Sequence, residues 1–199
     1  MEITIRKGVK EDLNCVLELI KELADYENEI NEVQITLEDL ENDGFGAHPY
    51  YWFLVAEHQG QIIGLSFYWI RYSTWKGKFL YLEDFIVKNA FRRSGVGAAL
   101  FEATLKTCKE LKLNGMCWQV LDWNTPAINF YHKYGAEISG VWLNGKLNKN
   151  RNAVKLTPAI ILTCNGIPPN EKNGALIKNE EIRRDDTKKI VIYWYKLKI

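Results

Sequence analysis

The chain has 199 residues, and its 26 lysines and arginines nearly balance 25 aspartates and glutamates at a formal net charge of +1. The length suits one domain with a substantial core, and the balanced charge gives no electrostatic case for a nucleic acid or membrane partner. The apolar runs are far shorter than the ~20 residues that span a bilayer, and the N-terminal segment MEITIRKGVKEDL lacks the hydrophobic region of a signal peptide. The four cysteines are scattered, which predicts a reducing, cytoplasmic location and neither a zinc site nor disulfides.

The first half of the chain predicts one strand, two helices and a three-stranded meander. The strand ITIRKG precedes the amphipathic helix EDLNCVLELIKELADYE and the short helix TLEDLENDGF. Thr36 is expected to cap the short helix with Asp39 as its capping-box partner, and Gly44 to end it. The hydrophobic period then changes, so YYWFLVAE and IIGLSFYWIRY predict a hairpin, and FLYLEDFIVK predicts a third strand.

The second half predicts a helix, a strand, a short helix and a closing hairpin. These are VGAALFEATLKTCKELKL, GMCWQVLDW, NTPAINFYHKYG and GAEISGVWLNGKL. Asn124 or Thr125 can cap the short helix, and Gly135 can stop it. The order predicts an α/β (α+β layered) fold with a mixed central sheet and helices on both faces.

The chain is expected to divide into a domain over 1–148 and a C-terminal extension over 149–199. The extension is rich in Asn, Lys, Pro and Gly, which is typical of a linker, and it ends in the strand-like segment IVIYWYKLKI. No chemistry is evident in it.

The segment FRRSGVGAAL places Gly95 and Gly97 where a helix begins. A pyrophosphate could lie on the backbone here, beside Arg92 and Arg93, because the glycines have no Cβ atoms in its way. The N–H groups of the first helical turn are free to bind it, and the helix dipole adds positive potential. A plain tight turn with permissive glycines explains the pattern equally well, and the residues alone do not separate the two. The segment matches neither GxxxxGK[ST] nor GxGxxG, because Leu100 occupies the third glycine position.

The pattern R-x-x-G-x-G-A, from Arg92 to Ala98, resembles the acetyl-CoA loop of the GNAT N-acetyltransferase superfamily, whose element order is the same. YLEDFIV, DGFGAHPYY and LDWNTPAINFY resemble its spermidine/spermine (diamine) N-acetyltransferase family over residues 3–147. Within that family, YSTWKGK and VLDWN resemble the thialysine N-ε-acetyltransferase branch. The resemblance implies direct attack of a small-molecule primary amine on acetyl-CoA in a ternary complex, without metal, by a homodimer.

The resemblance also implies the residues that bind acetyl-CoA. The strand before the loop would meet the pantetheine arm, and the loop would hold the pyrophosphate. Asn124 can cap its helix or contact the cofactor, and the resemblance suggests the cofactor. The implied cofactor-binding residues are Phe85, Ile86, Val87, Arg92, Arg93, Ser94, Gly95, Val96, Gly97, Ala98 and Asn124.

Glu83 and Asp84 are candidates for handling the acceptor amine. An ammonium with a pKa of ~10.4 is neutral in only about one molecule in 2,500 at pH 7, so the reaction needs a base. Adjacent strand residues face opposite sides of a sheet, so only one carboxylate reaches the cleft unless a β-bulge re-aims the other. The resemblance implies that both lie near the amine and that the strand is bulged. We expect Glu83 to be the base, directly or through water, and Asp84 to bind substrate or to remain a solvated charge.

Tyr131 is the candidate general acid. A phenol with a pKa of ~10 is a plausible proton donor to a thiol with a pKa near ~8.5. Its spacing from Ile128 alone favours a core aromatic, whereas the resemblance places the general acid of the family at this position.

The acceptor mouth is predicted from the resemblance to include Tyr26 and Glu27, with Trp75 and Trp142 either walling it or packing in the core. Polyamine enzymes of the family carry acidic residues where this chain has Ser73 and Gly140. A lysine-like amine with its own carboxylate therefore fits better than a long polycation. The alternatives are a protein lysine N-acetyltransferase and a non-catalytic acetyl-CoA-binding module.

Overall fold

The computed structural model describes residues 1–145. The chain divides into two units, Met1–Gly140 and Val141–Ile199. The predicted boundary at residue 148 and the C-terminal extension lie outside the described residues and stay predictions.

Nine helices and strands in the described residues follow the order that the sequence predicts. They are β1 (Thr4–Lys7), α1 (Leu13–Tyr26), α2 (Leu37–Phe45), β2 (Trp52–His58), β3 (Gln61–Ser73), β4 (Gly77–Val87), α3 (Val96–Glu110), β5 (Met116–Trp118) and α4 (Thr125–His132). The sheet order is β1-β2-β3-β4-β5, with β1 to β4 antiparallel and β5 parallel to β4. The mixed sheet is therefore confirmed.

Helices cover both faces of this sheet. Alternate residues of each strand point to opposite faces, so β2 sends Phe53 and Val55 to one side and Leu54 to the other. The α1 face is the side covered by α1 and α2, where Val16 and Leu40 are fully buried. The α3 face is the other side, whose core consists of α3 and α4 residues packed on the sheet, among them Leu100, Phe101 and Tyr131.

The start of α2 is confirmed as predicted, whereas its end is not. Thr36 and Asp39 exchange the two hydrogen bonds of a capping box. The helix does not stop at Gly44 but continues to Phe45. A Cβ atom on Gly44 would lie 2.4 Å from the ring of Tyr51, so this glycine is required by the close approach of an aromatic ring and not by the helix end.

Two further predictions are corrected. The segment GMCWQVLDW forms only the three-residue strand β5, which pairs with Leu80–Leu82 of β4. The described part of the predicted closing hairpin, residues 135–145, contains no strand. A two-stranded hairpin is marginal in water unless further strands or a helix pack against it.

Candidate active site

A cleft opens where β4 and β5 separate. The two strands pair only from Leu80 to Leu82, so within residues 1–145 the β5 side of the later β4 residues has no strand partner. The cleft has a volume of about 660 Å³ and lies between α1, the end of β4, the start of α3 and α4. Its walls include Leu23, Tyr26, Phe85, Ile86, Val87, Asn89, Arg92, Arg93, Gly97, Asn124, Phe130 and Tyr131.

A β-bulge in β4 brings two carboxylates to one face of the sheet. Asp84 lies opposite Phe67, but the next pair is Leu82 with Tyr68, so Glu83 is the extra residue of the bulge. Residues directly opposite in an antiparallel ladder share a face, and Phe67 is in the core of the α1 face. The Nε1–H of Trp69, which packs against the same core, donates a 2.8 Å hydrogen bond to the Glu83 carboxylate. Both carboxylates therefore lie on the α1 face, and the predicted bulge is confirmed.

Electrostatic repulsion and burial act together on Asp84. Burial, followed by the charges of Glu83 and Glu27, raises the pKa of the Asp84 carboxyl from 3.8 to about 7. Burial and the nearby Glu29 also raise the pKa of Glu27. A group of carboxylates that repel one another in a partly buried place favours either a shared proton or a bound cation.

Tyr131 is both a core aromatic and part of the cleft wall. Its side chain is 6 % exposed, and its ring centroid lies 4.7 Å from that of Trp118. Burial, followed by the charge of Glu27, raises the pKa of the Tyr131 hydroxyl to about 12. The phenol therefore keeps its proton at neutral pH. Glu27 acts electrostatically on both Tyr131 and Asp84, which links the cleft with the carboxylates on the α1 face.

The glycine loop before α3 leaves backbone amides uncapped. Gly95 is the N-cap in the left-handed region, at φ 90°, and it has no side chain to cap the helix. The first helical hydrogen bond runs from the Ala99 N–H to the Gly95 carbonyl at 3.0 Å, so the N–H groups of residues 96–98 have no helical acceptor. Gly97 lines the cleft, where a Cβ atom would meet only Val87 at 3.8 Å. This end of the cleft therefore presents bare amides to an anion.

Side-chain contacts connect the elements around the cleft. The Nε–H of Arg92 donates a 2.9 Å hydrogen bond to the Val87 carbonyl, and its guanidinium lies 5.0 Å from the ring centroid of Tyr26. The Tyr26 hydroxyl donates to the Asn124 Oδ1 at 3.4 Å. The same oxygen accepts the Ala127 N–H at 3.2 Å, which confirms Asn124 as the cap of α4.

The predicted site residues are only partly gathered at the cleft. Those that line it are Tyr26, Phe85, Ile86, Val87, Arg92, Arg93, Gly97, Asn124 and Tyr131. The other predicted residues do not line the cleft, and these are Ser94, Gly95, Val96 and Ala98 of the loop and the carboxylates Glu27, Glu83 and Asp84. Val96 is fully buried, so its side chain is not available to a ligand.

Trp75, one of the two predicted tryptophans, does not line the cleft. Trp75 lies in the β3–β4 turn and is 75 % exposed, which excludes the core interpretation for it. Trp142 belongs to the second unit, so its predicted place at the acceptor mouth stays a prediction.

Trp69 is the site residue that the sequence analysis missed. It follows Phe67 by two positions on the same strand face and lies opposite Tyr81. Strand periodicity predicts that Trp69 shares a sheet face with either Glu83 or Asp84, because adjacent strand residues face opposite sides. The hydrogen bond from Trp69 to Glu83 depends on the bulge and could not be predicted in this way.

Within residues 1–145, no helix is long and apolar enough to cross a bilayer. In the same residues, no group of three or more His, Cys, Asp or Glu side chains is arranged to hold a metal ion. The expected absence of metal from the reaction stays a prediction.

Comparison with known proteins agrees with this geometry. Residues 16–136 match the family model described as the acetyltransferase (GNAT) family. The chain is 39 % identical over 148 residues to "Thialysine N-epsilon-acetyltransferase" of Bos taurus, covering 68 % of this chain and 84 % of that protein. It is 37 % identical over 139 residues to "Spermidine/spermine N(1)-acetyltransferase-like protein 1" of Homo sapiens, covering 66 % of this chain and 20 % of that protein.

The solved structures support the fold. An aminoglycoside acetyltransferase from an uncultured soil metagenomic sample, in complex with trehalose, superposes with a TM-score of 0.63 at 20 % identity. The match covers 73 % of this chain and 97 % of that one. The chain therefore belongs to the acetyltransferase (GNAT) family and is an acetyl-CoA-dependent N-acetyltransferase.

Proposed function

We propose that the protein transfers the acetyl group of acetyl-CoA to a terminal primary amine of a small molecule, a lysine-like amine or a di- or polyamine. The observation that carries this proposal is the β-bulge, which puts the Glu83 and Asp84 carboxylates on one face near Glu27. Three neighbouring carboxylates suit an ammonium group. The similarity to proteins named thialysine N-epsilon-acetyltransferase supports the same class of acceptor.

Acetyl-CoA supplies a thioester, and the residues around the cleft suit its binding. The bare amides of residues 96–98, with Arg92 and Arg93 beside them, would hold the pyrophosphate. The edge of residues 85–87, which has no strand partner within residues 1–145, would hold the pantetheine arm and offer N–H donors to the thioester oxygen. Gly97 keeps the wall open at this point, since it has no Cβ atom. We infer that donor and acceptor are bound together and react directly.

The carboxylates would attract the ammonium and remove its proton. Glu83, the base expected from the sequence, accepts the indole N–H of Trp69 and is thereby oriented on the α1 face. Asp84 is a second candidate because its pKa of about 7 suits a base that works near neutral pH. Glu27 would add negative charge without taking part in the proton transfer.

Tyr131 would supply the proton that the departing sulfur needs. Its pKa of about 12 keeps the hydroxyl protonated at neutral pH, although it also makes Tyr131 a weaker acid toward a thiolate than an ordinary phenol of pKa ~10. The proton would pass from the Tyr131 oxygen to the sulfur, and a proton from solvent would then restore the phenol.

The test of this function is thiol release from acetyl-CoA by the full-length protein with thialysine, lysine, spermidine, putrescine and a lysine-containing peptide. We expect release with small amines and little with the peptide. Faster turnover of the peptide would favour a protein lysine acetyltransferase. Acetyl-CoA binding without release for any amine would favour a non-catalytic binding module.

We also propose that the protein is a cytoplasmic homodimer. The exposed aromatic residues Tyr72 and Trp75, at 73 % and 75 % exposure, offer an apolar surface at the β3–β4 turn for a second copy. Sedimentation of the full chain across a range of concentrations tests this assembly, and a monomer throughout would contradict it.

A further inference from the structure

A polar and aromatic strip continues from the carboxylates along the α1 face of β3 and β4. Trp69 lies opposite Tyr81, with 5.0 Å between their ring centroids, and Trp69 also bonds to Glu83. Arg71 is two residues beyond Trp69, so its side chain leaves the same face. Its guanidinium carbon lies 5.9 Å from the Tyr81 ring centroid. The strip therefore has carboxylates at one end and a guanidinium at the other.

The charge of Arg71 is exposed and available to a ligand. The ion pairs among residues 1–145 are made by Arg6, Lys10, Lys21 and Lys106, and none involves Arg71. Its neighbours on the strip are the Tyr81 ring and the Cys117 thiol. Burial raises the pKa of this thiol, and Arg71 partly lowers it again. A planar guanidinium is suited to a bidentate contact with a carboxylate.

We propose that Arg71 binds the carboxylate of an amino-acid acceptor whose terminal ammonium is held by the carboxylates at Glu83 and Asp84. This proposal rests on the proposed amine acetyltransfer and names the acceptor class more closely. The acceptor is a zwitterionic, lysine-like amino acid, and Arg71 determines the choice between it and a diamine.

The dimensions of the strip agree with this assignment. Phe67, which lies opposite Asp84, and Arg71 are four residues apart on β3, which separates their Cα atoms by about 13 Å. An extended lysine has about 7 Å between its ammonium and its carboxylate by ordinary bond lengths, and a hydrogen-bond contact of about 3 Å at each end brings the span to about 13 Å. The faces of Trp69 and Tyr81 would lie along the apolar methylene chain between the two charges.

The same residue acts against polycations. A diamine of the same length would bring its second ammonium to the Arg71 guanidinium, where the like charges repel and no contact compensates. The sequence has Ser73, a neutral residue, two positions further along the strand. The distal end of the strip therefore offers a cation for a carboxylate, with no added acid at Ser73 for an amine.

The experiment compares lysine with cadaverine, which is lysine without its carboxylate, in the full-length protein. We expect the wild type to acetylate lysine with a kcat/KM about tenfold or more above that of cadaverine, as for a charged hydrogen bond. Arg71→Gln should lower kcat/KM for lysine about tenfold, mainly through KM, and change cadaverine less than about twofold. Arg71→Lys should recover part of the lysine activity. Lys109→Gln, an exposed change on α3, is the matched control and should alter neither substrate.

Two outcomes would overturn the role of Arg71 while leaving amine acetylation intact. One is a wild type that prefers cadaverine to lysine. The other is an Arg71→Gln variant that loses activity equally on both, because a structural role affects both substrates alike. Absence of thiol release with lysine, cadaverine and spermidine would instead reject the proposed function itself.

Discussion

The indole N–H of Trp69 donates a 2.8 Å hydrogen bond to the carboxylate of Glu83. Glu83 is the extra residue of the bulge in β4, and this bond fixes its side chain on the α1 face. Asp84 shares that face, although regular alternation would send two adjacent residues to opposite sides. The bulge thereby places the carboxylates of a consecutive Glu-Asp pair on one face of the sheet.

Tyr131→Phe removes a hydroxyl while keeping the ring that packs on Trp118 and Phe101. We expect kcat to fall about 10²-fold or more, in the range of general acid catalysis, with acetyl-CoA affinity unchanged. Steady-state kinetics and calorimetric binding of acetyl-CoA check this. Tyr134→Phe is the matched control, since that hydroxyl donates to Glu102 at 3.1 Å on the protein surface. Equal turnover of wild type and Tyr131→Phe would contradict the role of the phenol.

The identity of the base determines the pH profile. With Asp84 at a pKa of about 7, its carboxylate form grows as pH rises through 7, so kcat/KM for the amine should rise over the same range. If Asp84 is the base, Asp84→Asn should abolish that limb, and Glu83→Gln should move it to lower pH because the Glu83 charge raises the pKa of Asp84. A limb near pH 7 that survives in Asp84→Asn would exclude Asp84 as its source.

Asp84 should also make the fold less stable at higher pH. The pKa of Asp84 is raised in the folded protein from 3.8 to about 7. Its contribution to the free energy of unfolding is therefore fully present below about pH 4 and is lost as pH rises through 7. We expect Asp84→Asn to gain roughly 1–3 kcal/mol in free energy of unfolding relative to wild type between pH 4 and pH 8. Urea unfolding at both pH values measures this difference.

Asp12 provides the opposite control for that measurement. A hydrogen bond from Arg6, at 2.6 Å, lowers the pKa of the buried Asp12 carboxyl, so its contribution is present above pH 4 and is lost as pH falls below it. Asp12→Asn should therefore cost more stability at pH 8 than at pH 3. A stability difference between Asp84→Asn and wild type that does not change with pH would contradict a raised pKa for Asp84.

Gly97→Ala should separate stability from binding. An alanine fits the space at this helical position, because its Cβ atom would meet only Val87 at 3.8 Å, and it should stabilise the helix by about 1 kcal/mol. The added methyl group would stand on the cleft wall, so KM for acetyl-CoA should rise severalfold. Gly95→Ala, at φ 90°, should instead lower the melting temperature through backbone strain. If Gly97→Ala leaves acetyl-CoA affinity intact, the amides of this turn do not hold the pyrophosphate.

The sequence predicted the helix starts well where the capping contacts join residues that are close together in the chain. Thr36 and Asp39 form the capping box, and Asn124 caps α4, because these contacts span only three residues of chain. Gly44 was wrongly expected to end α2, because what it accommodates is Tyr51, a residue of another segment. The length of β5 was likewise overestimated, since a strand continues only while a partner stays in register.

The order of nine elements and the mixed α/β fold were predictable from the sequence alone. These follow from hydrophobic period, caps and short motifs, which are local properties of the chain. The shared face of Glu83 and Asp84, in contrast, depends on tertiary packing, because the bulge arises from the register of β4 against β3. The effect of the Glu27 charge on the pKa values of both Asp84 and Tyr131 also depends on tertiary packing. These three residues are far apart in the sequence, and they come near one another only when the helices pack on the sheet.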